Sequence, residues 1–262
     1  MIIYSHRHRI TTLPGFLSAV QNYAVSLSHP NLPRHRLFDR VRAGLDNYFG
    51  NTNFSVPRHA ITMSHLCDIR SQLNVTSFRD ARLWCACLIA FFALLRINEY
   101  CNRGLLVQHV TLHRWGLSIT VPYSKTSLVP TTVDIIRRDD QLCPLRAYNT
   151  YVAFIPDAFR HPSHPFFIQH SHSSLPMSDT DFIPHVRRLL ALIPGCDPAA
   201  FAGHSFRRGG VTALLLAGVP EATIASHGRW KSRAWTGYVD SQHNLRVRLA
   251  PTAQLSLHSH PQ

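Results

Sequence analysis

The apolar run LWCACLIAFFALL, from Leu83 to Leu95, constrains the fold of this chain more than any other segment. It is well short of the roughly 20 residues with which an α-helix spans a bilayer, so it predicts a buried core helix. Ser77 and Asp80 have the spacing of a capping box, which predicts that the helix begins there. We expect it to continue to Arg96, whose charge then needs a partner or a cleft.

The segments around this run predict a mostly α architecture with one small antiparallel β-sheet (α+β). Three partly alternating stretches rich in β-branched residues follow Arg96 and predict strands: LVQHVTLH, GLSITVPYS and PTTVDIIRR. The turn between the last two contains Lys125. Apolar spacing predicts further helices at Met63 to Leu73, from Cys143 to about Phe154, in DFIPHVRRLLALI, and after His204.

Turn-forming residues suggest how the chain divides. GNTNFSVPRH predicts a linker at 51–59 between helical residues 1–50 and a larger domain at 60–245, which a polar tail at 246–262 follows. The two predicted helices before the linker carry few large apolar residues. We therefore expect the chain to begin inside a domain whose earlier helices are missing.

The charge balance favours a polyanionic partner. Lys and Arg number 27 against 14 Asp and Glu, which gives a net charge of +13. In a folded domain such a field is typical of nucleic-acid binding. An anionic membrane surface is the alternative, but no basic amphipathic helix or lipidation motif supports it.

Cysteine and histidine usage predicts neither a disulfide framework nor a metal site. The six cysteines form no CxxC pair, so free thiols in a reducing compartment are expected, and MIIYSHRHRITT lacks the apolar core of a secretory signal. We therefore expect an intracellular protein. Several of the 18 histidines crowd HPSHPFFIQHSH, but without the spacing of a metal site, which indicates a loop of uncommitted histidines.

Polar residues cluster at both ends of an apolar helix in GHSFRRGGVTALLLAGVPEATIASHGRWKSRAWTGYVD, from Gly203 to Asp240. His204 and Arg207 would share one face at the helix N-terminus, itself a favourable place for an anion. Each polar residue also has an ordinary structural interpretation. Arg96 and Glu99 have the spacing of a helical salt bridge, and a lone histidine, tryptophan or tyrosine often caps a helix or packs on its neighbours.

Four motifs in this order, ALLRINEY, SKTS, GHSFRRGG and GRWKSRAWTGY, resemble the motif set of the tyrosine recombinase (phage integrase-like) catalytic domain. The similarity covers roughly residues 60–245. It is closest to the recombinases of eukaryotic Crypton- and DIRS-type transposons, in which GRW followed by a tyrosine is typical. The resemblance implies the tyrosine recombinase catalytic-domain fold. It also implies that residues 1–50 are the remnant of an N-terminal helical core-binding (SAM-like) domain.

The resemblance assigns catalytic roles by position. Tyr238 corresponds to the nucleophile. Arg96 and Arg207 correspond to the pair that binds the non-bridging phosphate oxygens, and planar guanidiniums are well suited to bind such oxygens. His204 corresponds to a residue that acts like a base. Lys125 corresponds to the hairpin lysine that protonates the departing 5′ oxygen.

Two further assignments concern the surroundings of the nucleophile and the arginine pair. Trp230 takes the position that donates an indole N–H to the phosphate, and His227, three residues earlier, is the rival candidate for it. We favour Trp230, because GRW aligns with the pattern. Glu99 takes the place of the acidic residue that supports the arginine pair.

The implied function is the breaking and rejoining of double-stranded DNA through a 3′-phosphotyrosyl intermediate during integration or recombination. The resemblance implies no cofactor and no metal, a homo-oligomer on DNA, a nuclear location, no membrane partner and no small-molecule substrate. A catalytically unproductive DNA-binding remnant of a transposon recombinase is the alternative of another class. A type IB topoisomerase shares the chemistry, but the GRW segment speaks against it.

Overall fold

A computed structural model describes residues 19, 20, 22, 23, 25–28, 58–102, 104–122 and 129–238. The chain divides into two compact units, Met1–Pro57 and Arg58–Gln262. In the first unit the described residues from 19 to 26 are helical. Lys125, most of the predicted N-terminal remnant and the tail lie outside the described residues.

The predicted core helix is present and occupies the centre of the second unit. Helix α1 (Met63–Ser71) precedes it, and α2 (Phe78–Phe92) buries every residue from Ala81 to Phe91. Ser77 caps α2 by accepting a hydrogen bond from the Asp80 amide at 3.3 Å. The Asp80 carboxylate accepts from the amide of Asn74 at 2.9 Å rather than from Ser77, so only half of the predicted capping box forms.

Helix α2 ends at Phe92, four residues before the predicted end at Arg96. Leu94 has φ 49°, a left-handed conformation that interrupts the helix. Arg96 instead stands at the N-cap position of the short helix α3 (Ile97–Tyr100). This break exposes the last carbonyl groups of α2 to other parts of the chain.

The three predicted strands form one antiparallel sheet in the order β1-β2-β3. The strands are β1 (Val110–His113), β2 (Gly116–Val121) and β3 (Thr131–Ile136). Ile119 on β2 pairs with Val110 on one side and Val133 on the other. Residues 107–109 of the first predicted strand form a 3₁₀ turn instead, Val107–His109.

The remaining helices complete the predicted mostly α architecture. They are α4 (Pro144–Val152), α5 (Asp179–Leu190), α6 (Ser205–Leu216) and α7 (Glu221–His227), with 3₁₀ turns at Asp157–Phe159, Pro198–Ala200 and Arg233–Tyr238. The observed fold class, mostly α with a small antiparallel sheet, is the predicted one. None of the described helices is long and apolar enough to cross a membrane.

Two adjacent glycines let α6 approach both Ile61 and α2 closely. A methyl group on Gly209 would overlap the carbonyl oxygen of Ile61, and one on Gly210 would overlap that of Phe91. Any larger side chain would therefore push α6 away from α2. Arg207 lies on the turn of α6 just before these glycines, so the close contact brings its side chain to the end of α2.

Candidate active site

The C-terminal end of α2 is bound by three cationic or polar side chains from later in the chain. Nε2 of His227 donates to the Phe92 carbonyl at 2.7 Å. Arg229 donates to the carbonyls of Ala93 at 3.1 Å and of Leu94 at 3.2 Å. Arg207 also donates to Leu94. The carbonyl groups left over at a helix C-terminus attract positive charge, which explains why cations gather here.

Arg207 is the centre of this cluster and is wholly buried, with none of its surface exposed. Its second terminal nitrogen donates to the Gly228 carbonyl at 2.7 Å. The guanidinium carbon lies 4.0 Å from the centre of the Trp230 ring and 5.2 Å from that of Tyr238. Among the described residues, none accepts a hydrogen bond from its Nε.

Glu99 joins the other two arginines of the site. Its Oε1 accepts from Arg96 at 2.8 Å, and its Oε2 accepts from Arg229 at 2.7 Å. The Arg96 amide also donates to Oε2, at 2.9 Å. Only 7% of the Glu99 side chain is exposed, so the carboxylate neutralises part of the charge of two guanidiniums away from water.

The site keeps an excess of positive charge, because within the described part of the chain Glu99 is the one carboxylate bonded to these arginines. Burial, followed by the nearby guanidiniums of Arg96 and Arg229, lowers the pKa of Arg207. An arginine nevertheless stays protonated at neutral pH. An anionic ligand beside Arg207 would offset this repulsion and stabilise the charged guanidinium.

His204 stands at the N-cap position of α6, although its side chain does not cap the helix. The centre of its ring lies 6.1 Å from that of Tyr238. Partial burial and the guanidiniums of Arg207, Arg96 and Arg208 lower the pKa of His204. The imidazole is therefore neutral at pH 7 and able to accept a proton.

The 3₁₀ turn Arg233–Tyr238 carries Tyr238 to this cluster, and Trp235 anchors the turn. Trp235 is 3% exposed and packs in a small apolar cluster with Leu94, Val211 and Ile224. The centre of the Tyr238 ring lies 5.3 Å from that of Trp230. The rings of Trp230 and Tyr238 thus both lie against the guanidinium of Arg207.

The similarity of this chain to known proteins lies in its fold. Neither a family model nor a curated protein matches the chain. Among solved structures, XerA recombinase superposes with a TM-score of 0.52 at 16% identity, over 98% of this chain and 79% of that one.

A Tn1549 transposon integrase in complex with circular intermediate DNA gives a TM-score of 0.52 at 14% identity, over 89% of this chain and 85% of the other. This chain has the tyrosine recombinase fold. In two other Tn1549 integrase structures the chain spans 62% and 63% of the integrase length.

The tyrosine recombinase fold brings most of the predicted site residues together. Those grouped at the end of α2 and the start of α6 are Arg96, Glu99, His204, Arg207, Trp230 and Tyr238. His227 lies nearby but donates to the Phe92 carbonyl, whereas Trp230 contacts the Tyr238 ring. The choice of Trp230 over His227 stays a prediction.

Lys125 lies outside the described residues, but the base of its hairpin is close to the site. Val121 and Val129, on either side of the turn, line a cavity of about 170 Å³ with Arg229, Trp230 and Lys231. The described residues on both sides of 123–128 therefore lie beside Trp230. In the described part of the chain, no group of three His, Cys, Asp or Glu residues is placed to hold a metal ion.

Sequence reasoning missed two residues of the site. Trp235 could have been noticed as a large apolar residue in an otherwise polar segment between Trp230 and Tyr238. Arg229 gave no such signal, because a charged residue beside a glycine predicts only an exposed turn. The cluster can bind an anion, hold a phenol beside it and accept a proton, which are the requirements of phosphoryl transfer to a tyrosine.

Proposed function

We propose that this chain breaks and rejoins double-stranded DNA as a tyrosine recombinase that needs no metal ion, with Tyr238 as nucleophile. One observation carries the proposal: the buried guanidinium of Arg207 lies 5.2 Å from the Tyr238 ring centre and 4.0 Å from that of Trp230. These residues come from three separate parts of the chain, α6, the segment after α7 and the turn Arg233–Tyr238, and they meet beside the C-terminal end of α2.

The reaction in this proposal is a phosphoryl transfer between two oxygens. The Tyr238 hydroxyl attacks the scissile phosphorus, and its proton passes to the neutral imidazole of His204. The bond between phosphorus and the 5′ oxygen breaks as Lys125 donates a proton to that oxygen. The 3′ phosphate is then esterified to Tyr238, and reversal with another 5′ hydroxyl rejoins the strand.

Arg96 and Arg207 supply the electrostatic stabilisation. The transition state spreads negative charge over the non-bridging oxygens, and two guanidiniums can bind these oxygens while remaining charged. Glu99 fixes Arg96 through the 2.8 Å bond, and the Leu94 and Gly228 carbonyls fix Arg207. Preorganised charge of this kind does the work that a metal ion does in many nucleases.

Access to Arg207 requires a movement. Trp230 and Tyr238 close its guanidinium from solvent, so a phosphate reaches it only after one of these rings moves aside. The same observation favours a second candidate, a DNA-binding protein that keeps the fold and the net charge of +13 without turnover.

We propose partners, an origin and a cellular location for the chain as well. Its partners are double-stranded DNA and further copies of this chain, since strand exchange joins ends held by several protomers. The GRW segment with its later tyrosine supports an origin in a Crypton- or DIRS-type transposon. A chain of that origin acts in the nucleus.

The test is capture of the covalent intermediate on nicked duplex DNA, including candidate element ends. Wild type and the control Tyr148→Phe, which removes a hydroxyl from a tyrosine stacked on Phe166, are expected to form a protein–DNA adduct. Tyr238→Phe is expected to form none. If all three proteins bind DNA without forming an adduct, the result favours the binding protein. If none of them binds DNA or forms an adduct, the result contradicts both candidates.

A further inference from the structure

Arg229 has a backbone conformation that residues other than glycine rarely adopt. Its φ is 62°, in the left-handed region, and four non-glycine residues of the described chain share this property: Ser28, Leu94, Asn102 and Arg229. Two of them, Leu94 and Arg229, meet directly, because Arg229 donates to the Leu94 carbonyl at 3.2 Å. Strained backbone of this kind persists where the surroundings hold it, and it concentrates at functional sites.

The side chain of Arg229 shows what holds it there. It is 5% exposed and donates to Oε2 of Glu99 at 2.7 Å and to the Ala93 carbonyl at 3.1 Å, besides Leu94. Three acceptors on two elements are satisfied by one planar guanidinium. A lysine, with a single terminal nitrogen, cannot match this fork.

These contacts connect Arg229 to both arginines of the proposed phosphate site. It donates to Oε2 of Glu99, and the Arg96 guanidinium donates to Oε1 of the same carboxylate at 2.8 Å. By sharing the Leu94 carbonyl it lies beside Arg207, which binds the same oxygen. The next residue, Trp230, lies on the face of the Arg207 guanidinium.

We propose that Arg229 is a positioning residue of the strand-cleavage reaction, which holds Glu99 and the end of α2 so that Arg96 and Arg207 keep their separation. This inference rests on the proposed function. In this proposal Arg229 acts through Glu99 and the end of α2, to which both of its terminal nitrogens donate. Glycine at this position would relieve the backbone but would leave Glu99 bound to Arg96 alone.

The test compares Arg229→Gly and Arg229→Lys with wild type in single-turnover adduct formation at saturating DNA. We expect adduct formation to slow by about 100-fold in Arg229→Gly, because small misplacements of catalytic groups cost about that much. The Kd for DNA should stay within threefold, since Arg229 is not at the surface. Arg229→Lys keeps the charge and should recover only part of the rate.

The matched control is Arg137→Gly, which removes an arginine just after β3 whose side chain is 58% exposed and paired with Asp139 at 3.4 Å. It should leave the rate within threefold of wild type. Thermal unfolding of each variant shows whether it is folded under the assay conditions. If Arg229→Gly is not folded, the comparison of rates uses Arg229→Lys instead.

A double-mutant cycle separates positioning from a general structural role. If Arg229 acts through Glu99, the loss caused by Arg229→Lys shrinks to less than threefold in a Glu99→Gln background. Equal losses in both backgrounds, or a wild-type rate in Arg229→Gly, would overturn the inference and leave the proposed function standing. Wild type without any adduct would overturn the proposed function, and this inference with it.

Discussion

Arg207 places a full positive charge inside the molecule with two carbonyl partners and two aromatic neighbours. A buried charge is costly unless it is paired, and here the nearest charged groups include two more arginines. The arrangement is therefore poor as a stabilising element and well suited to a ligand with negative charge. This is the physical basis for assigning Arg207 to the phosphate.

The lowered pKa of His204 predicts the pH dependence of cleavage. Partial burial and the guanidiniums of Arg207 and Arg96 disfavour the imidazolium, so the neutral base persists below the ordinary histidine pKa of about 6.5. The single-turnover rate of adduct formation should therefore fall on acidification with a midpoint below about 6.5.

The variant His204→Gln tests that assignment. It should slow adduct formation by about 10²–10⁴-fold and remove the acid limb of the profile. An acid limb that persists unchanged in His204→Gln would show that another group accepts the proton.

Single residues differ in how far the sequence could predict their place. The pairing of Arg96 with Glu99 follows from their spacing, and the shared face of His204 and Arg207 follows from helical geometry. The role of Arg229 could not be predicted, because the sign of φ at a non-glycine residue has no signature in the sequence.

The packing of α6 sets the position of Arg207, and it depends on the close approach of Gly209 to Ile61. We predict that Gly209→Ala destabilises the protein by about 1–3 kcal/mol, the range for overpacking a close contact. The new methyl would meet the Ile61 carbonyl, which is backbone and cannot rotate away. Urea unfolding measures the free energy.

Gly237→Ala is the control for this contact, because a methyl there meets no atom within 4 Å. Its free energy of unfolding should match wild type. If Gly209→Ala and Gly237→Ala are equally stable, α6 does not approach Ile61 as closely as described.

At the scale of elements, prediction succeeded where local pattern and burial agree and failed where tertiary contacts decide. The apolar run predicted α2, but the end of α2 at Phe92 depends on side chains from later in the chain that bind the last carbonyls of the helix. Residues 107–109 are β-branched or polar like a strand, yet they form a 3₁₀ turn before β1. The three-stranded order could be predicted because short connections favour antiparallel neighbours.

Over the whole molecule, histidine burial predicts acid sensitivity. Among the described residues, burial is the largest cause that lowers the pKa of five histidines: His65, His109, His185, His204 and His227. Between these lowered values and about 6.5, the unfolded chain binds more protons than the folded one. The free energy of unfolding should therefore fall as the pH drops below about 6.5.

Urea unfolding at a series of pH values from 7.5 to 5 checks this linkage. His185→Gln should make the dependence on pH shallower, since that ring is buried beside Asp80. His161→Gln, which changes an exposed ring, should leave the slope as it is in wild type. A stability that rises on acidification would contradict the linkage.

The most direct test of the central claim is to locate the covalent bond between protein and DNA. After reaction with nicked duplex and nuclease digestion, trypsin should release AWTGYVDSQHNLR, residues 234–246, bearing a nucleotide 3′-phosphate. Tandem mass spectrometry is expected to place that mass on Tyr238. An adduct on another residue, or one formed through a 5′ phosphate, would contradict the account.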